Sequence, residues 1–119
     1  GKAAAAIDRL APAVGRNQDL YLTRAVLMRA YAAEGKLPEA RELAQWLARN
    51  RGRALAEPSS LNILQPVNVV EASLALRASA RLAERSGDAA AASEQAAAFS
   101  EAWPDGDKLA LVKKRDAAL

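Results

Sequence analysis

Apolar residues recur at every third or fourth position along most of this chain, which is the spacing that places them on one face of an α-helix. The first such stripe is made of Ala6, Ile7, Leu10, Ala13 and Val14. The longest begins at Val67, and its apolar face is made of Val69, Val70, Leu74, Ala78 and Leu82. We therefore predict an all-α protein with helices over residues 2–14, 20–34, 38–50, 67–86 and 108–117, and one more helix after Gly87.

Glycine and proline mark where these helices begin and end. Gly35 and Gly87 each follow a predicted helix, and glycine enters the left-handed conformation of a helix C-cap without steric cost. Pro38 lies where the next helix starts, a position at which its missing N–H is harmless. Pro12 lies late in the first pattern, so we expect it to bend or shorten that helix.

The glycine-led turns also recur along the chain. Residues 1–6, 35–40 and 87–92 align with a glycine at the start of each segment and an alanine at its end, namely Ala6, Ala40 and Ala92. Together with Tyr31, the middle segment resembles a tetratricopeptide repeat, a helix-turn-helix unit with a period of about 34 residues. The interval from Gly1 to Gly35 equals this period. The next interval is longer by roughly half a repeat, which predicts an insertion between Arg53 and Val67.

This resemblance implies one domain of antiparallel helix pairs, stacked as a short right-handed superhelix with a C-terminal closing helix. Its parts are a half repeat (1–16), a repeat (20–53), the insertion (54–66), a second repeat (67–104) and the closing helix (107–119). We expect Asp107 to cap that last helix and Lys113, Lys114 and Arg115 to be exposed on it. A generic alanine-rich helical bundle is the alternative.

The chain begins without methionine, at what resembles the turn within a repeat, so we expect it to be a C-terminal fragment of a larger protein. Its use of alanine and arginine suggests a bacterial source with a GC-rich genome. A signalling or regulatory parent protein is consistent with repeats kept at a C-terminus.

Composition excludes several classes of function. The 119 residues include no cysteine and no histidine, which excludes disulfides and thiol chemistry. No glycine-rich phosphate loop or metal-ligand spacing is present. We therefore expect no enzymatic activity, no cofactor and no metal. No apolar run approaches the ~18 residues needed to cross a membrane, so we expect a cytoplasmic protein without membrane contact.

In tetratricopeptide repeats, ligands usually lie on the concave side, against the first helix of each unit. The positions that match this face are Ala25, Arg29, Ala32, Ala33, Arg77, Arg81, Glu84 and Arg85. Arginines four residues apart on one helix repel each other, so their alignment needs an explanation. Because arginine pairs bidentately with carboxylates, we expect a basic groove that binds a protein or peptide with an acidic segment. The alternatives are solvated surface and internal pairing with nearby acids, namely Asp88, Glu94, Glu101, Asp105 and Asp107.

Loops that interrupt a regular repeat often carry function, which makes Asn62 and Gln65 further candidates for partner contacts. The alternative is that both side chains satisfy local backbone groups. The basic run of Arg49, Arg51 and Arg53 is interpreted as a solvated helix end, with a phosphate or acidic-peptide contact as its alternative.

Two other functional classes stay open. A structural or self-associating module, giving a homo-oligomer, is the main alternative to a partner-binding scaffold. Nucleic-acid binding is compatible with a net charge of +3 and a pI near 9.6. It is less favoured, because the charges are mixed along the chain and aromatic residues are not interleaved with the arginines.

Overall fold

The helices found in the structure follow the predicted order. The computed structural model describes residues 1–16, 19–57 and 64–119, and for Leu64 and Gln65 it describes the backbone alone. The α-helices in these ranges are α1 (Lys2–Leu10), α2 (Tyr21–Ala33), α3 (Leu37–Arg49), α4 (Arg51–Ala56), α5 (Leu64–Arg85), α6 (Ala89–Ala102) and α7 (Ala110–Ala117). Short 3₁₀ turns occupy Ala11–Ala13 and Gly106–Lys108. These ranges contain no strand, so the prediction of an all-α protein is confirmed for the described chain.

Proline accounts for several helix bounds. As expected from Pro12, α1 ends at Leu10 and continues only as a 3₁₀ turn, because proline has no N–H to donate within a helix. Pro38 lies in the first turn of α3. Pro66 lies near the start of α5, which begins at Leu64 rather than at the predicted residue 67. The basic segment after α3 forms the separate helix α4, which the sequence pattern did not predict.

Two glycine-capped turns join consecutive helices into pairs. Gly35 and Gly87 have φ of +72° and +78°, so both are left-handed as predicted. Lys36 N donates to Tyr31 O at 2.9 Å, and Asp88 N donates to Ala83 O at 2.9 Å. These bonds satisfy carbonyls that the helix ends leave free. Because each turn is short, α3 runs back along α2 and α6 runs back along α5.

The helices enclose a core made mainly of small and aliphatic side chains. Its centre lies between α2, α3 and α5, and its most completely buried members include Tyr21, Leu27, Ala40, Leu47 and Leu82. The Tyr21 hydroxyl donates to Leu47 O at 2.8 Å, which joins α2 to the end of α3. Ala40 has no exposed surface, whereas its aligned counterparts Ala6 and Ala92 are half-buried. A second cluster joins α5 to α6 and α7, and contains Leu74, Leu76, Phe99 and Val112.

Charged side chains tie α4 back to the start of α2. Arg24 binds the Asp19 carboxylate through Nε at 2.7 Å and Nη2 at 2.6 Å. Arg53 of α4 donates to the main-chain carbonyl of Asp19. The ring of Trp46 lies beside both guanidinium groups, 4.0 Å from Arg24 and 5.3 Å from Arg53. Tyr21 N also donates to Glu57 Oε1 at 2.7 Å, which fixes the end of α4.

The last helix folds back over the middle of the molecule. Leu119, just beyond α7, belongs to the buried cluster formed by α2, α3 and α5. The Cα radius of gyration is 13.8 Å, close to the roughly 13.5 Å expected of a compact domain of this length. In the part of the chain that the structure describes, no helix has the length and apolarity needed to span a membrane.

Candidate functional site

The arginines predicted to form a basic ligand face are all bound to groups of the same chain. Arg29 Nη1 donates to Glu71 Oε2 at 2.7 Å, and Arg77 Nη2 donates to Asp116 Oδ2 at 2.6 Å. Arg81 pairs with Glu84, one turn further along α5, and Arg85 donates to the main-chain carbonyl of Leu119.

Internal pairing, one of the alternatives left open by the sequence, is therefore what the structure contains. The expected acidic partners were wrong, however, because the carboxylates that bind these arginines are Glu71, Glu84 and Asp116. Of the acids on the last helix pair, Asp88 binds Arg41 of α3. Asp105 binds Lys108, three residues away, at 2.6 Å. Glu71 and Glu84 lie on α5 itself, and Asp116 reaches Arg77 only because α7 folds back onto α5.

α7 packs against α5, and a cavity remains between α7, α5 and α2. We call the surface of α2 and α5 that faces α7 the α7 groove. Its walls are formed by Met28, Arg29, Glu71, Leu74, Arg77 and Ala78, and α7 faces them with Val112, Arg115 and Asp116, followed by Leu119. Two of the predicted partner-binding arginines, Arg29 and Arg77, therefore line this groove. Arg81 and Arg85 lie further along α5, beyond these walls.

Glu71 is the carboxylate at the centre of the groove. Its side chain is 6% exposed, yet it lies between two guanidinium groups. Arg29 of α2 donates to Oε2 at 2.7 Å, and Arg115 of α7 donates to Oε1 at 2.8 Å. A buried carboxylate is very unfavourable unless it is paired and hydrogen-bonded, and Arg29 and Arg115 supply both partners for Glu71.

Glu71 was not among the predicted site residues, although the sequence carries a signal for it. Glu71 lies at helical spacing from Leu74, Ala75, Ala78 and Leu82, which are all buried. An acid within an otherwise apolar helix stripe indicates a buried, paired carboxylate.

Arg77 makes the most extensive polar contact between α5 and α7. Its Nε lies 3.1 and 3.0 Å from the two Asp116 oxygens, and its Nη2 lies 2.6 Å from Oδ2. This forked geometry is the one in which arginine recognises a carboxylate most specifically. Hydrogen bonding to Asp116 raises the pKa of Arg77 further above its ordinary value. The guanidinium also lies 6.0 Å from the ring centre of Phe99.

Two apolar side chains anchor α7 in the groove. Val112 is 1% exposed and belongs to the cluster of Leu74, Leu76 and Phe99. Leu119 is 8% exposed and belongs to the main core cluster.

The closing helix differs from its prediction in two respects. Lys113 and Lys114 are exposed as predicted, but Arg115 is partly buried because it binds Glu71. The prediction that Asp107 caps this helix was also wrong. Asp107 lies in the preceding 3₁₀ turn, and the residue at the N-cap of α7 is Leu109. That turn separates Asp107 from the first free N–H groups of α7.

Some predicted contact residues lie elsewhere. Asn62 falls outside the described residues, and Gln65 lies in α5 with its side chain outside the description. In the basic run, Arg53 is engaged with Asp19, Glu57 and Trp46. Arg49 and Arg51 are exposed, at the end of α3 and the start of α4.

The described residues contain no cluster of acidic, histidine or cysteine side chains that could hold a metal ion. Comparison of the chain with protein-family models, with curated proteins and with solved structures returns no match.

Proposed function

We propose that this chain is a protein-interaction module made of helix pairs stacked like tetratricopeptide repeats, and that the α7 groove is its ligand-binding face. The stacking is supported by the matching glycine-capped turns at Gly35 and Gly87. It is also supported by the packing of α5 against both α3 and α6. The ligand is a short segment of another protein that carries an acidic residue for Arg77.

The observation that carries this proposal is that a helix of the same chain, α7, already packs against the groove. Recognition of a helix in a groove needs apolar anchors on one helix face, with polar contacts that fix its register. Val112 and Leu119 supply the anchors, and the forked contact between Arg77 and Asp116 supplies the register. The same walls are suited to a partner segment with the same chemistry.

The test is selection of binding peptides from a displayed library of random 12-residue sequences, using the intact chain as bait. We expect the enriched peptides to carry an acidic residue between two apolar residues at helical spacing. The affinity of each enriched peptide is then measured for the wild type, for the Arg77→Glu variant and for the Arg9→Glu variant, which is the matched control. Arg9 lies exposed on α1, so its replacement makes the same charge change away from the groove.

Loss of binding by about tenfold or more in Arg77→Glu, with binding retained in Arg9→Glu, supports the proposal, since charged contacts are worth about 1.5–3 kcal/mol. Circular dichroism of each variant verifies that it folds. Peptides that bind all three proteins equally, or no enrichment at all, would contradict the proposal.

Self-association is the second candidate, and exposed apolar side chains favour it. Leu20, Leu55, Val67 and Val69 are each at least 39% exposed. Leu55 lies on α4 and Val67 and Val69 lie on α5, two helices that are joined where Asn68 donates to Ala54 O at 3.1 Å. Sedimentation equilibrium of the wild type and of Leu55→Ser/Val69→Ser tests this candidate. A dimer that the double substitution abolishes supports self-association, and a monomer at all concentrations contradicts it.

A further inference from the structure

We infer that α7 is an internal ligand of the α7 groove, which a partner helix displaces, and that the partner carries a basic residue immediately before its acidic one. This inference rests on the proposed function and specifies both the ligand and its regulation. Four features of α7 and the groove carry it: the charge order of the groove, the spacing of the contacts, the weakness of α7 as a helix, and the anchored turn that precedes it.

The groove is not uniformly basic. Arg29, Glu71 and Arg77 give it alternating charge, and Glu71 is almost fully buried. A segment with acidic residues alone would bring a second carboxylate towards Glu71, and would remove the donor that Arg115 now supplies. A partner that replaces α7 must therefore offer a base to Glu71 and an acid to Arg77, because a buried charge that loses its partner is strongly destabilising.

The contacts of α7 define the spacing of these groups. Val112 and Asp116 lie four residues apart on one face of α7, and Leu119 follows just beyond the end of the helix. Arg115 lies next to Asp116 and reaches Glu71 from the side of that face. The complementary segment is thus an apolar residue, a base three places later, an acid next to it, and a second apolar residue three places beyond.

α7 is weakly specified as a helix. It has eight residues and no acidic residue in its first turn, and the N-cap Leu109 makes no side-chain capping bond. Isolated helices of this length are unstable in water, so α7 depends on docking for its structure. Leu111 on α7 and the N-cap residue Leu109 are each 42% exposed, so docking leaves part of both side chains in solvent. A partner helix that buries more apolar surface outcompetes it.

The turn before α7 is packed against the end of α6, so the chain stays attached there when α7 moves. Gly106 is buried against the rings of Phe99 and Trp103, and a Cβ at this position would lie 3.0 Å from atoms of both rings. These contacts of Gly106 are made by residues outside α7. Leu109 has an extended backbone between the anchored turn and α7, so rotation there moves α7 while the contacts of Gly106 are kept, although Val112 then leaves Phe99.

The test measures binding of a fluorescein-labelled peptide of residues 109–119 to the intact chain by fluorescence anisotropy. In the wild type the tethered α7 competes with the peptide. The measured association constant is therefore the intrinsic one multiplied by the fraction of molecules in which the groove is free. Val112→Ser and Asp116→Asn weaken docking of the tethered helix and leave the peptide unchanged. We expect each to bind the peptide about tenfold more tightly than the wild type. Leu111→Ser, at an exposed position of the same helix, is the matched control and is expected to match the wild type.

Exchanging charges between the peptide and the groove tests the specified ligand. These measurements use the Val112→Ser chain. The peptide carrying Asp116→Arg is expected to bind at least about tenfold more weakly than the unmodified peptide, and to regain affinity when the chain carries Arg77→Asp. The peptide carrying Arg115→Glu is expected to lose a similar factor, because it places a carboxylate against Glu71.

Equal peptide affinity in Val112→Ser, Asp116→Asn and Leu111→Ser, with all three folded by circular dichroism, would overturn displacement. No regain of affinity in the charge-exchanged pair would overturn the specified ligand. A dimer in Val112→Ser without added peptide would assign the groove to a second copy of this chain and also overturn the inference. If library peptides still require Arg77 in any of these cases, the proposed function stands and only the inference fails.

Discussion

At the scale of single residues, Tyr21 joins three elements of the fold. Its hydroxyl binds the end of α3, its N–H binds Glu57 after α4, and its ring lies 6.1 Å from Trp46. The sequence contains few aromatic residues, and this one is completely buried. An aromatic residue with its hydroxyl bonded inside a small core is expected to contribute strongly to stability.

Tyr21→Phe is predicted to lower the free energy of unfolding by about 1–2 kcal/mol, because Leu47 O loses its buried donor. Chemical denaturation at pH 7 measures this change. Tyr31→Phe is the control, since Tyr31 is only partly buried at the end of α2. An equal effect of the two substitutions would contradict the role given to the Tyr21 hydroxyl.

Tyr21 also predicts how stability changes at alkaline pH. Burial raises the pKa of Tyr21 above the ordinary tyrosine value of 10.0. Between pH 10 and the raised pKa the unfolded chain loses this proton and the folded chain keeps it, so stability falls as pH rises, by up to about 1.4 kcal/mol per pH unit. Denaturation at several pH values between 8 and 11 is expected to show a shallower decline in Tyr21→Phe than in the wild type. Parallel declines would contradict the prediction.

Asp19 predicts the corresponding behaviour at acid pH. The hydrogen bond from Arg24 lowers the pKa of Asp19 below 3.8, and the N–H of Gly15 acts in the same direction. In the folded chain the Asp19 carboxylate therefore stays ionised to lower pH than in the unfolded chain. The stabilisation that results is present above about pH 4 and is lost as pH falls further. Asp19→Asn is expected to reduce stability at pH 7 by about 1.5–3 kcal/mol and to flatten the decline below pH 4.

The control for Asp19 is Asp8→Asn, which removes an exposed carboxylate from α1. Surface substitutions of this kind usually change stability by less than about 0.5 kcal/mol. Urea denaturation between pH 2 and 7 compares the two variants. A loss at Asp8 as large as the loss at Asp19 would show that net charge, rather than the contact with Arg24, determines the result.

At the scale of elements, the glycine turns fix where helices end. A side chain at Gly35 has free space around it, but the residue must keep φ at +72°. Gly52 also has free space, and it lies within α4. Because a side chain has room at both positions, alanine substitutions at Gly35 and at Gly52 differ in backbone conformation and not in packing.

Gly35→Ala is predicted to lower the free energy of unfolding by about 1 kcal/mol, since alanine enters the left-handed region at a cost of this size. Gly52→Ala is predicted to raise it by up to about 1 kcal/mol, because alanine is the better helix former. Thermal unfolding followed by circular dichroism measures both changes. A stabilising Gly35→Ala would contradict the left-handed cap.

The alanines aligned by the repeat pattern are predicted to differ in their tolerance of larger side chains. Ala40 is completely buried between α3 and its neighbours, whereas Ala92 on α6 keeps some exposure. Ala40→Leu is expected to lower stability by about 1–3 kcal/mol through overpacking, and Ala92→Leu to lower it by less. Chemical denaturation of the two variants makes the comparison, and equal losses would contradict it.

Much of the element structure was predictable because local signals determine it. Gly35, Gly87 and Pro38 mark helix ends through their own backbone preferences, and those positions were predicted correctly. α4 was not predicted, because its six residues carry no clear apolar period and its position depends on contacts with Asp19 and Tyr21.

At the scale of the whole molecule, the arginine positions were predictable and their partners were not. The spacing of Arg77, Arg81 and Arg85 places them on one helix face, as the sequence predicts. The pairing of Arg77 with Asp116 and of Arg85 with Leu119 depends on the path of the chain after α6, and no local pattern specifies that path. The partners of the buried Glu71 were not predictable either, because Arg29 and Arg115 come from two other helices, α2 and α7.

The most direct measurement of the central claim is hydrogen exchange of the intact chain, with and without a saturating library-selected peptide. Amide groups exchange more slowly when they become buried and bonded, and faster when a segment loses its structure. We predict slower exchange in α2 and α5, which form the groove walls, together with faster exchange in α7. Slower exchange confined to α1 or α6, with α7 unchanged, would show that the α7 groove is not the binding face.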